Sequence, residues 1–336
     1  MLITKIWERT AGGEYTNMRI PGILVTSAGD IIIYNEARRS GSDWAAMDIL
    51  ARRSRDGGKT WSKPIFLASG TAAHPTVNNP VMAEDARGVL HFLYCENYGV
   101  GGGRILHRES CDGEIWSEPE DITAATLPEY RNVFALGPGH GICTSRGVLA
   151  FPFWLVPKRF GSPKRAHVPS EVGVLYSEDC GKTWHTSPLL PAREDIASPN
   201  ETVAAEMADG GIYLAVRQNA PARACAVLSR DFSHFTRYAP VEGVLDPVCF
   251  GSVASVRTKL AFVNCDHSKN RVNLTLHTSA DGGKTWQKAL TVDEARGGYA
   301  DIAHDACQGK IYVLYENEYG KELYLAVIDE SEILLA

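Results

Sequence analysis

The sequence predicts an all-β fold, a six-bladed β-propeller with four-stranded antiparallel blades, which takes up residues 1–336 as a single domain. Three observations support this prediction. A short Ser-x-Asp motif recurs along the chain at intervals of about 50 to 67 residues. The segments between its copies are short apolar runs bounded by Gly, Asp and Ser, without an extended helical period. A unit of about 50 residues holds four strands, and the chain holds about six such units.

The recurring motif is present in three complete copies and two degenerate ones. The complete copies are SRDGGKTW, SEDCGKTW and SADGGKTW, which begin at Ser54, Ser177 and Ser279, and the degenerate copies begin at Ser110 and Ser229. Asp and Ser side chains accept hydrogen bonds from nearby backbone N–H groups, and Gly permits a positive φ. Each copy is therefore expected to form a tight turn between two strands, with its aspartate as a turn residue and not as a catalyst.

The predicted strands are β-branched or aromatic runs on both sides of these turns. In chain order they include AMDILARRS, GVLHFLYC, GVLAFPFW, EVGVLYS, GIYLAVRQ, KLAFVNC and VNLTLHTS. All are short and end at turn-forming residues, as strands in a propeller blade do. No Pro-rich or Ser-rich linker interrupts the repeat, which disfavours the alternative of two unrelated domains.

Composition and charge restrict the class of partner. Hydrophobic residues make up 44% of the chain and charged residues 22%, which is typical of globular proteins. The net charge of −6 argues against nucleic acid as a partner, because proteins that bind nucleic acids usually have a basic excess. A mildly acidic chain still permits a local basic pocket for an acidic small molecule.

The cysteines and the N-terminal segment bear on metal binding and location. None of the eight cysteines forms a Cys-x-x-Cys pair, so no metal site is predicted, and the thiols are expected to be reduced and mostly buried in strands. Residues 1–17 lack the apolar core of a secretory signal, and no stretch approaches the roughly 20 apolar residues of a membrane span. These features predict a cytoplasmic protein without a membrane span.

The recurring motif resembles the Asp box, S-x-D-x-G-x-x-W, of the sialidase (neuraminidase) superfamily, whose repeats are also called BNR repeats. Asp boxes also occur in propellers without catalytic activity, so an enzymatic role has to rest on other residues. MRIPGILVT, with Arg19, resembles the family's R-I-P signature. DGGIYLAVRQNA, with Arg217, is similar to D-G-x-L-L-L-x-x-R, and NRVNLTLHTSADGGKTW, with Arg271, is similar to R-x-N-L-T-L-R-x-S-x-D-G-G-K-T-W.

These three arginines belong to three different predicted blades. They can meet only at the propeller axis, where paired guanidinium donors suit a carboxylate. The resemblance implies that Arg19, Arg217 and Arg271 bind the carboxylate of an acidic sugar. It also implies that Glu316, at the end of the run KIYVLYENE, steadies Arg19. For any one of these arginines alone, the alternative interpretation is a structural ion pair.

The resemblance also implies the catalytic residues. YNEARRSGSDWAAMDI resembles the family segment E/D-G-R-x-x-x-x-D, which places Arg38 against the substrate and makes Asp43 the general acid/base, whereas Asp48 is interpreted as structural. GGYADIAHD resembles G-Y-S-D-L, and SPNETVAAEMADG resembles x-E-x-x-V-x-E-L-x-D-G, which implies Tyr299 as the nucleophile and Glu201 as its base. A neutral phenol avoids the repulsion that a carboxylate nucleophile would meet beside the sugar's own carboxylate.

The resulting hypothesis is a retaining exo-glycosidase similar to an exo-α-sialidase, without a metal or organic cofactor. It would release terminal sialic acid, or a related acidic 2-keto sugar, from glycoconjugates through a tyrosyl-glycoside intermediate. His140 and Trp154 are further candidates for the pocket lining. The alternatives are a hydrolase for Kdn or Kdo, a transferase, and a non-catalytic carbohydrate-binding Asp-box propeller. Linkage preference and oligomeric state do not follow from the sequence.

Overall fold

The computed structural model describes residues 1–8, 13–97, 103–160, 167–295, 297–317 and 319–334. These residues form 25 strands in six antiparallel sheets, which confirms the predicted all-β six-bladed propeller. Five sheets have four strands, and one has a short fifth strand. None of the helices in the described part of the chain is long and apolar enough to cross a membrane.

The first three blades follow one another along the chain. Blade 1 consists of β2 (Asn17–Val25), β3 (Ile31–Arg38), β4 (Met47–Ser54) and β5 (Ile65–Ser69). Blade 2 consists of β6 (Val77–Glu84), β7 (Leu90–Glu96), β8 (Arg104–Ser110) and β9 (Glu120–Asp121). Blade 3 consists of β10 (Arg131–Leu136), β11 (Ile142–Cys143), β12 (Leu149–Pro157), β13 (Glu171–Ser177) and β14 (His185–Thr186). Single 3₁₀ turns lie at Thr123–Ala125 and Lys158–Phe160.

The remaining blades complete the ring. Blade 4 consists of β15 (Thr202–Glu206), β16 (Ile212–Arg217), β17 (Ala222–Leu228) and β18 (Phe235–Leu245). Blade 5 consists of β19 (Ser252–Val256), β20 (Lys259–Cys265), β21 (Leu274–Ser279) and β22 (Gln287–Asp293). Blade 6 consists of β23 (Ala300–Asp305), β24 (Lys310–Asn317), β25 (Glu322–Asp329) and β1 (Leu2–Glu8), and the short helix α1 (Ser331–Leu334) follows β25.

Blade 6 joins the two ends of the chain. Its outermost strand, β1, pairs antiparallel with β25, so that Leu2 lies opposite Val327 and Glu8 lies opposite Glu322. The first strands of neighbouring blades contact one another, as in the pairs β2·β23, β2·β6, β15·β19 and β19·β23. The first strand of each blade therefore faces the common axis.

The apolar core lies between adjacent blades and is divided among several clusters. One cluster joins Leu93 of blade 2, Phe151 of blade 3 and Leu214 of blade 4. A second cluster joins Phe262 of blade 5 to Tyr315 of blade 6. Four of the eight cysteines are buried, which is fewer than the predicted majority: Cys95, Cys225, Cys249 and Cys265. Burial of these inter-blade faces fixes where each first strand lies around the axis.

Each complete copy of the recurring motif forms the predicted turn. In the first copy, Ser54 Oγ accepts the N–H of Gly58 at 2.8 Å, and Asp56 accepts the N–H and the hydroxyl of Thr60 at 2.9 and 2.7 Å. The five copies connect the third and fourth strands of blades 1 to 5. Because Ile31 pairs with Ser54 and Arg38 with Met47, the turn lies at the opposite end of the blade from Arg38. The aspartates of the motif are turn residues, as the sequence predicted.

The first strands of blades 1 and 2 are interrupted by matching bulges. The register of β2 shifts between Arg19 and Gly22, and that of β6 shifts between Asn78 and Val81. Ile20, within the first bulge, has a φ of 57°, which is strained for a β-branched residue. The bulge in β2 turns the backbone around Arg19 at the axis instead of continuing the regular ladder.

The buried turn serine contributes to stability. Ser279→Ala is expected to lower the free energy of unfolding by about 1–2 kcal/mol, because the buried N–H of Gly283 loses its acceptor. Ser229→Ala is a matched control, since Ser229 in a degenerate copy is more exposed and water can replace its contact with the N–H of His234. Urea unfolding followed by tryptophan fluorescence measures both changes. An equal loss of unfolding free energy in the two variants would contradict the stabilising role of the buried Ser279 contact.

Candidate active site at the propeller axis

A pocket of about 260 Å³ opens at the axis, at the end of the propeller opposite the Asp-box turns. Seven of the eight predicted site residues line it: Arg19, Arg38, Asp43, Glu201, Arg217, Arg271 and Tyr299. The eighth, Glu316, lies directly behind Arg19 and accepts a hydrogen bond from its Nε at 2.8 Å. The structure thus brings together residues that the sequence places almost 300 positions apart, since Arg19 and Glu316 are separated by 297 residues.

Tyr299 is the centre of this pocket. Its hydroxyl donates to Glu201 Oε1 at 2.7 Å and accepts from Arg217 Nη1 at 2.8 Å. The guanidinium carbons of Arg19, Arg217 and Arg271 lie 5.2, 5.9 and 5.4 Å from the centre of the phenol ring. These arginines belong to blade 1, blade 4 and the segment before β21 of blade 5. Three cationic groups therefore surround one phenol that is hydrogen-bonded to a carboxylate.

Burial governs the protonation of Tyr299. Burial raises the pKa of the Tyr299 phenol far above its ordinary value, Glu201 adds to this rise, and the arginines, with Arg217 foremost, lower the pKa only in part. The phenol is therefore protonated at neutral pH, and its proton is directed toward the Glu201 carboxylate. Formation of a phenolate here requires transfer of that proton to Glu201.

Buried carboxylates hold the arginines in place. Glu316 is only 2% exposed and accepts hydrogen bonds from Arg19 Nε at 2.8 Å and from the Ile20 N–H at 2.9 Å. Burial alone would lower the pKa of Arg19, but the Glu316 carboxylate raises it above its ordinary value. Glu201 forms the corresponding ion pair with Arg217. Without such partners, like-charged groups at this spacing would repel one another.

Asp43 and Arg38 form the opposite wall of the pocket. Arg38 is 3% exposed and donates to Glu36 Oε2 through Nε at 2.7 Å and to Asp43 Oδ1 through Nη1 at 2.6 Å. Asp43 lies in the loop after β3, and its side chain is 48% exposed. Although desolvation opposes the shift, the charge of Arg38 and its hydrogen bond lower the pKa of Asp43 below its ordinary value. Asp43 is thus the most exposed carboxylate of the pocket and is ionised in the free protein.

Asp48 lies outside the pocket, in agreement with its interpretation as structural. Its carboxylate is 5% exposed and accepts hydrogen bonds from the Tyr15 hydroxyl, from Arg39 Nη2 at 2.9 Å and from the Gly70 N–H at 3.2 Å. These contacts tie the start of β4 to two neighbouring loops. Asp48 is therefore a structural residue of blade 1.

The two further candidates for the pocket lining differ in outcome. Trp154 lines the pocket, together with His167, whose ring centre lies 5.5 Å from that of Trp154 in an edge-on arrangement. The expectation for His140 is wrong, because this residue is buried and its Nδ1 lies 2.8 Å from Asp301 Oδ1. His140 is therefore paired within the protein, next to Asp301 on strand β23 of blade 6.

Several pocket residues did not follow from the sequence: Ile20, Asn78, Asn79, His167, Asn200 and Asn219. A signal for two of them was present in the sequence. Ile20 and Asn79 each precede a proline in the first strand of a blade and have φ values of 57° and 51°. The N–H of Ile20 donates to Glu316 Oε1 at 2.9 Å, and that of Asn79 donates to Glu36 Oε1 at 2.8 Å. A residue before proline in an innermost strand thus marked a bulge held by a buried glutamate.

Similarity to known proteins covers most of the chain. The family described as the BNR repeat-like domain matches residues 33–320. A sialidase of Bacteroides fragilis is 28% identical over 92% of this chain and 61% of its own length, and a sialidase of Micromonospora viridifaciens is 28% identical over 89% of this chain and 50% of its own length. The solved structure of a Hadza microbial sialidase superposes with a TM-score of 0.82 at 25% identity, over 95% of this chain and 67% of that one. The chain spans between half and two thirds of the length of the two curated relatives.

Two neighbouring aspartates are expected to differ in their effect on stability. Asp48→Ala should lower the free energy of unfolding by about 1–2 kcal/mol, because the partly buried donors Tyr15, Arg39 and Gly70 lose their acceptor. Asp43→Ala should change it by less than about 1 kcal/mol, because Asp43 is half exposed and its ion pair is screened by water. Urea unfolding of both variants checks this difference. A larger loss in Asp43→Ala than in Asp48→Ala would overturn the structural role of Asp48.

Proposed function

We propose that this chain, which belongs to the BNR repeat-like family, is a retaining exo-α-sialidase. Two curated relatives that it matches are sialidases. Its substrate would be the terminal sialic acid, or a related acidic 2-keto sugar, of a glycoconjugate. One observation carries the proposal: three guanidinium groups from separate blades surround a phenol that is hydrogen-bonded to a carboxylate. A pocket of about 260 Å³, small for a ligand site, suits one terminal sugar residue.

Carboxylate binding is the first step that the pocket supports. Arg19, Arg217 and Arg271 offer several N–H donors within one cavity, which suits a planar anion. Arg19 uses its Nε for Glu316, so its terminal nitrogens can donate to a bound carboxylate as a pair. The buried Glu316 keeps this guanidinium in position before the substrate arrives, which reduces the entropy lost on binding.

Charge balance explains how Asp43 can act as an acid although its pKa is lowered in the free protein. The guanidinium groups of Arg19, Arg38, Arg217 and Arg271 are matched by the carboxyl groups of Glu36, Asp43, Glu201 and Glu316. A bound substrate carboxylate adds one negative charge and competes with Asp43 for Arg38. Both effects raise the pKa of Asp43, the most exposed of these carboxyl groups, and favour its protonated form.

The chemical steps follow from the contacts of Tyr299. Asp43 protonates the leaving glycosidic oxygen while Tyr299 Oη attacks the anomeric carbon, and the phenol proton passes to Glu201 Oε1, 2.7 Å away. A water molecule then attacks the tyrosyl-glycoside, Asp43 takes a proton from this water, and the phenol recovers its proton from Glu201. Two successive displacements at the anomeric carbon retain its configuration.

The identity of the acidic sugar depends on the pocket walls beyond the arginines. Trp154 and His167 line one wall, and the ring of Trp44 lies 5.8 Å from that of His167. Aromatic faces pack against the apolar face or acyl group of a sugar, which supports a substituted sialic acid. Glycosides of sialic acid, Kdn and Kdo with one shared aglycone distinguish these substrates by their kcat/KM values.

Tyr299 is expected to be essential for turnover. Tyr299→Phe should lower kcat on a fluorogenic α-sialoside by at least about 10³-fold, because the nucleophilic oxygen is removed. Tyr324→Phe is a matched control, since Tyr324 lies on β25 and bonds to Glu322 away from the pocket. Equal rates for wild type and Tyr299→Phe would refute the assigned nucleophile. Binding of free sialic acid by the intact protein without any turnover would instead favour a non-catalytic carbohydrate-binding propeller.

The role of Asp43 predicts a dependence on the leaving group. Asp43→Asn should lower kcat on an alkyl sialoside such as sialyllactose by about 10²–10⁴-fold, because an alkoxide leaving group needs a proton. An aryl sialoside, whose phenolic leaving group is more acidic, should be affected much less. Release of sialic acid from both substrates measures the two effects. An equal loss on both substrates would argue against Asp43 as the general acid.

A further inference from the structure

A second cluster of polar side chains lies in blade 2, outside the pocket. His91 on β7 is paired opposite Glu109 on β8, and His107 lies two residues before Glu109 on the same face of the strand. The two histidines are buried, with side-chain exposures of 0% and 3%, whereas Glu109 is 43% exposed. Buried imidazoles beside an accessible carboxylate form a potential ligand set that the proposed glycosidase mechanism does not use.

The three potential ligand atoms form a triangle of suitable size for a metal ion. His91 Nδ1 lies 3.0 Å from His107 Nε2 and 3.5 Å from Glu109 Oε1, and His107 Nε2 lies 4.0 Å from Glu109 Oε1. A tetrahedral zinc ion with bonds of about 2.0–2.1 Å requires ligand separations of about 3.4 Å. The observed separations bracket this value. Small shifts of the exposed Glu109 side chain, together with a widening of the gap between the two imidazole nitrogens by about 0.4 Å, would complete one face of a zinc tetrahedron.

A buried carboxylate orients His91, and a second carboxylate lies near His107. His91 Nε2 lies 3.3 Å from Asp85 Oδ2, and His107 Nδ1 lies 3.8 Å from Glu120 Oε2. Asp85 is fully buried and is itself held by the N–H groups of Arg87 and Val89, at 2.9 and 3.0 Å. A hydrogen bond from the outer nitrogen of His91 to Asp85 leaves its inner nitrogen with a lone pair, as in many zinc sites, whereas the 3.8 Å contact of His107 with Glu120 is too long for a hydrogen bond.

The adjoining blade holds the two imidazole rings in place. Gly181 of the blade 3 Asp box closes over both rings: a Cβ at this position would lie 2.8 Å from His91 Cε1 and 3.1 Å from His107 Cε1. Trp184 packs edge-on against His107, with ring centres 5.2 Å apart. The ligands are thus preorganised by the adjoining blade.

We infer that His91, His107 and Glu109 bind a zinc-class divalent cation, Zn²⁺, with water as its fourth ligand. Asp85 acts as the positioning residue of His91. The site is independent of the proposed glycosidase activity and stabilises blade 2 by linking β7 to β8. The two histidines are 16 residues apart on adjacent strands, a spacing that the Cys-x-x-Cys pattern does not cover.

Metal uptake tests the inference directly. Chelator-treated protein is dialysed against Zn²⁺, and the bound metal is measured by mass spectrometry for wild type, Glu109→Gln and Glu118→Gln. Glu109→Gln removes one ligand at a half-exposed position and leaves the buried histidine pair intact. Glu118→Gln is the matched control, an equal charge change at an exposed position of the same blade. We expect wild type and Glu118→Gln to bind about one equivalent of Zn²⁺ more than Glu109→Gln does, or to bind Zn²⁺ at least about 10-fold more tightly.

Thermal unfolding gives a second readout. Zn²⁺ should raise the midpoint temperature of unfolding of wild type and of Glu118→Gln by about 2 °C or more. Mg²⁺, which prefers oxygen ligands, should not raise it. His107→Gln should abolish the Zn²⁺ effect if this variant folds, and Glu109→Gln should weaken it in any case. Equal uptake by wild type and Glu109→Gln, or no uptake by wild type, would overturn the inference and leave a hydrogen-bonded pair of histidines.

Discussion

The buried carboxylate of Asp301 is the contact on which the arrangement of the blades depends. From β23 of blade 6, Asp301 accepts the N–H of Ile23 in blade 1 at 2.9 Å and the hydroxyl of Ser252 in blade 5 at 2.6 Å, and lies 2.8 Å from His140 of blade 3. His140 in turn bonds to the backbone of Ala204 in blade 4. One carboxylate thus links five blades at the axis, where apolar packing alone would leave polar groups unpaired.

Fixing the blades at the axis is what makes a cationic pocket possible. Arg19, Arg217 and Arg271 come from different blades and lie within 6 Å of the Tyr299 ring centre. Concentrating guanidinium groups is unfavourable unless carboxylates are buried beside them, and Glu316 takes this role for Arg19. The same carboxylate accepts the N–H of Ile20 in the strained bulge and holds the Arg19 guanidinium in the pocket. The chain's net charge of −6 therefore says little about the local charge of its pocket.

The sequence predicted those features that depend on local chemistry. Asp-box residues such as Ser54 make their turn contacts with residues a few positions along the chain, so their role follows from a few consecutive residues. Features set by contacts between blades did not follow. The prediction that His140 lines the pocket failed, because its partner Asp301 is 161 residues away in the sequence and no local pattern reveals that contact. The pairing of His91 with His107 depends on strand register and on Gly181 of the next blade, which no local pattern encodes.

The pocket and the Asp-box turns lie at opposite ends of the blades, because antiparallel strand pairing separates them. In blade 1, Arg38 at the pocket end pairs with Met47, and the turn serine Ser54 pairs with Ile31 at the other end. Because the turns and the pocket loops lie at opposite ends of the sheet, neither depends on direct contacts with the other. Asp43 lies in such a pocket loop, between the paired strands β3 and β4, and accepts a hydrogen bond from Arg38 Nη1 at 2.6 Å. A residue in such a loop can exchange its partners more readily than one in the sheet, which suits the acid/base role proposed for Asp43.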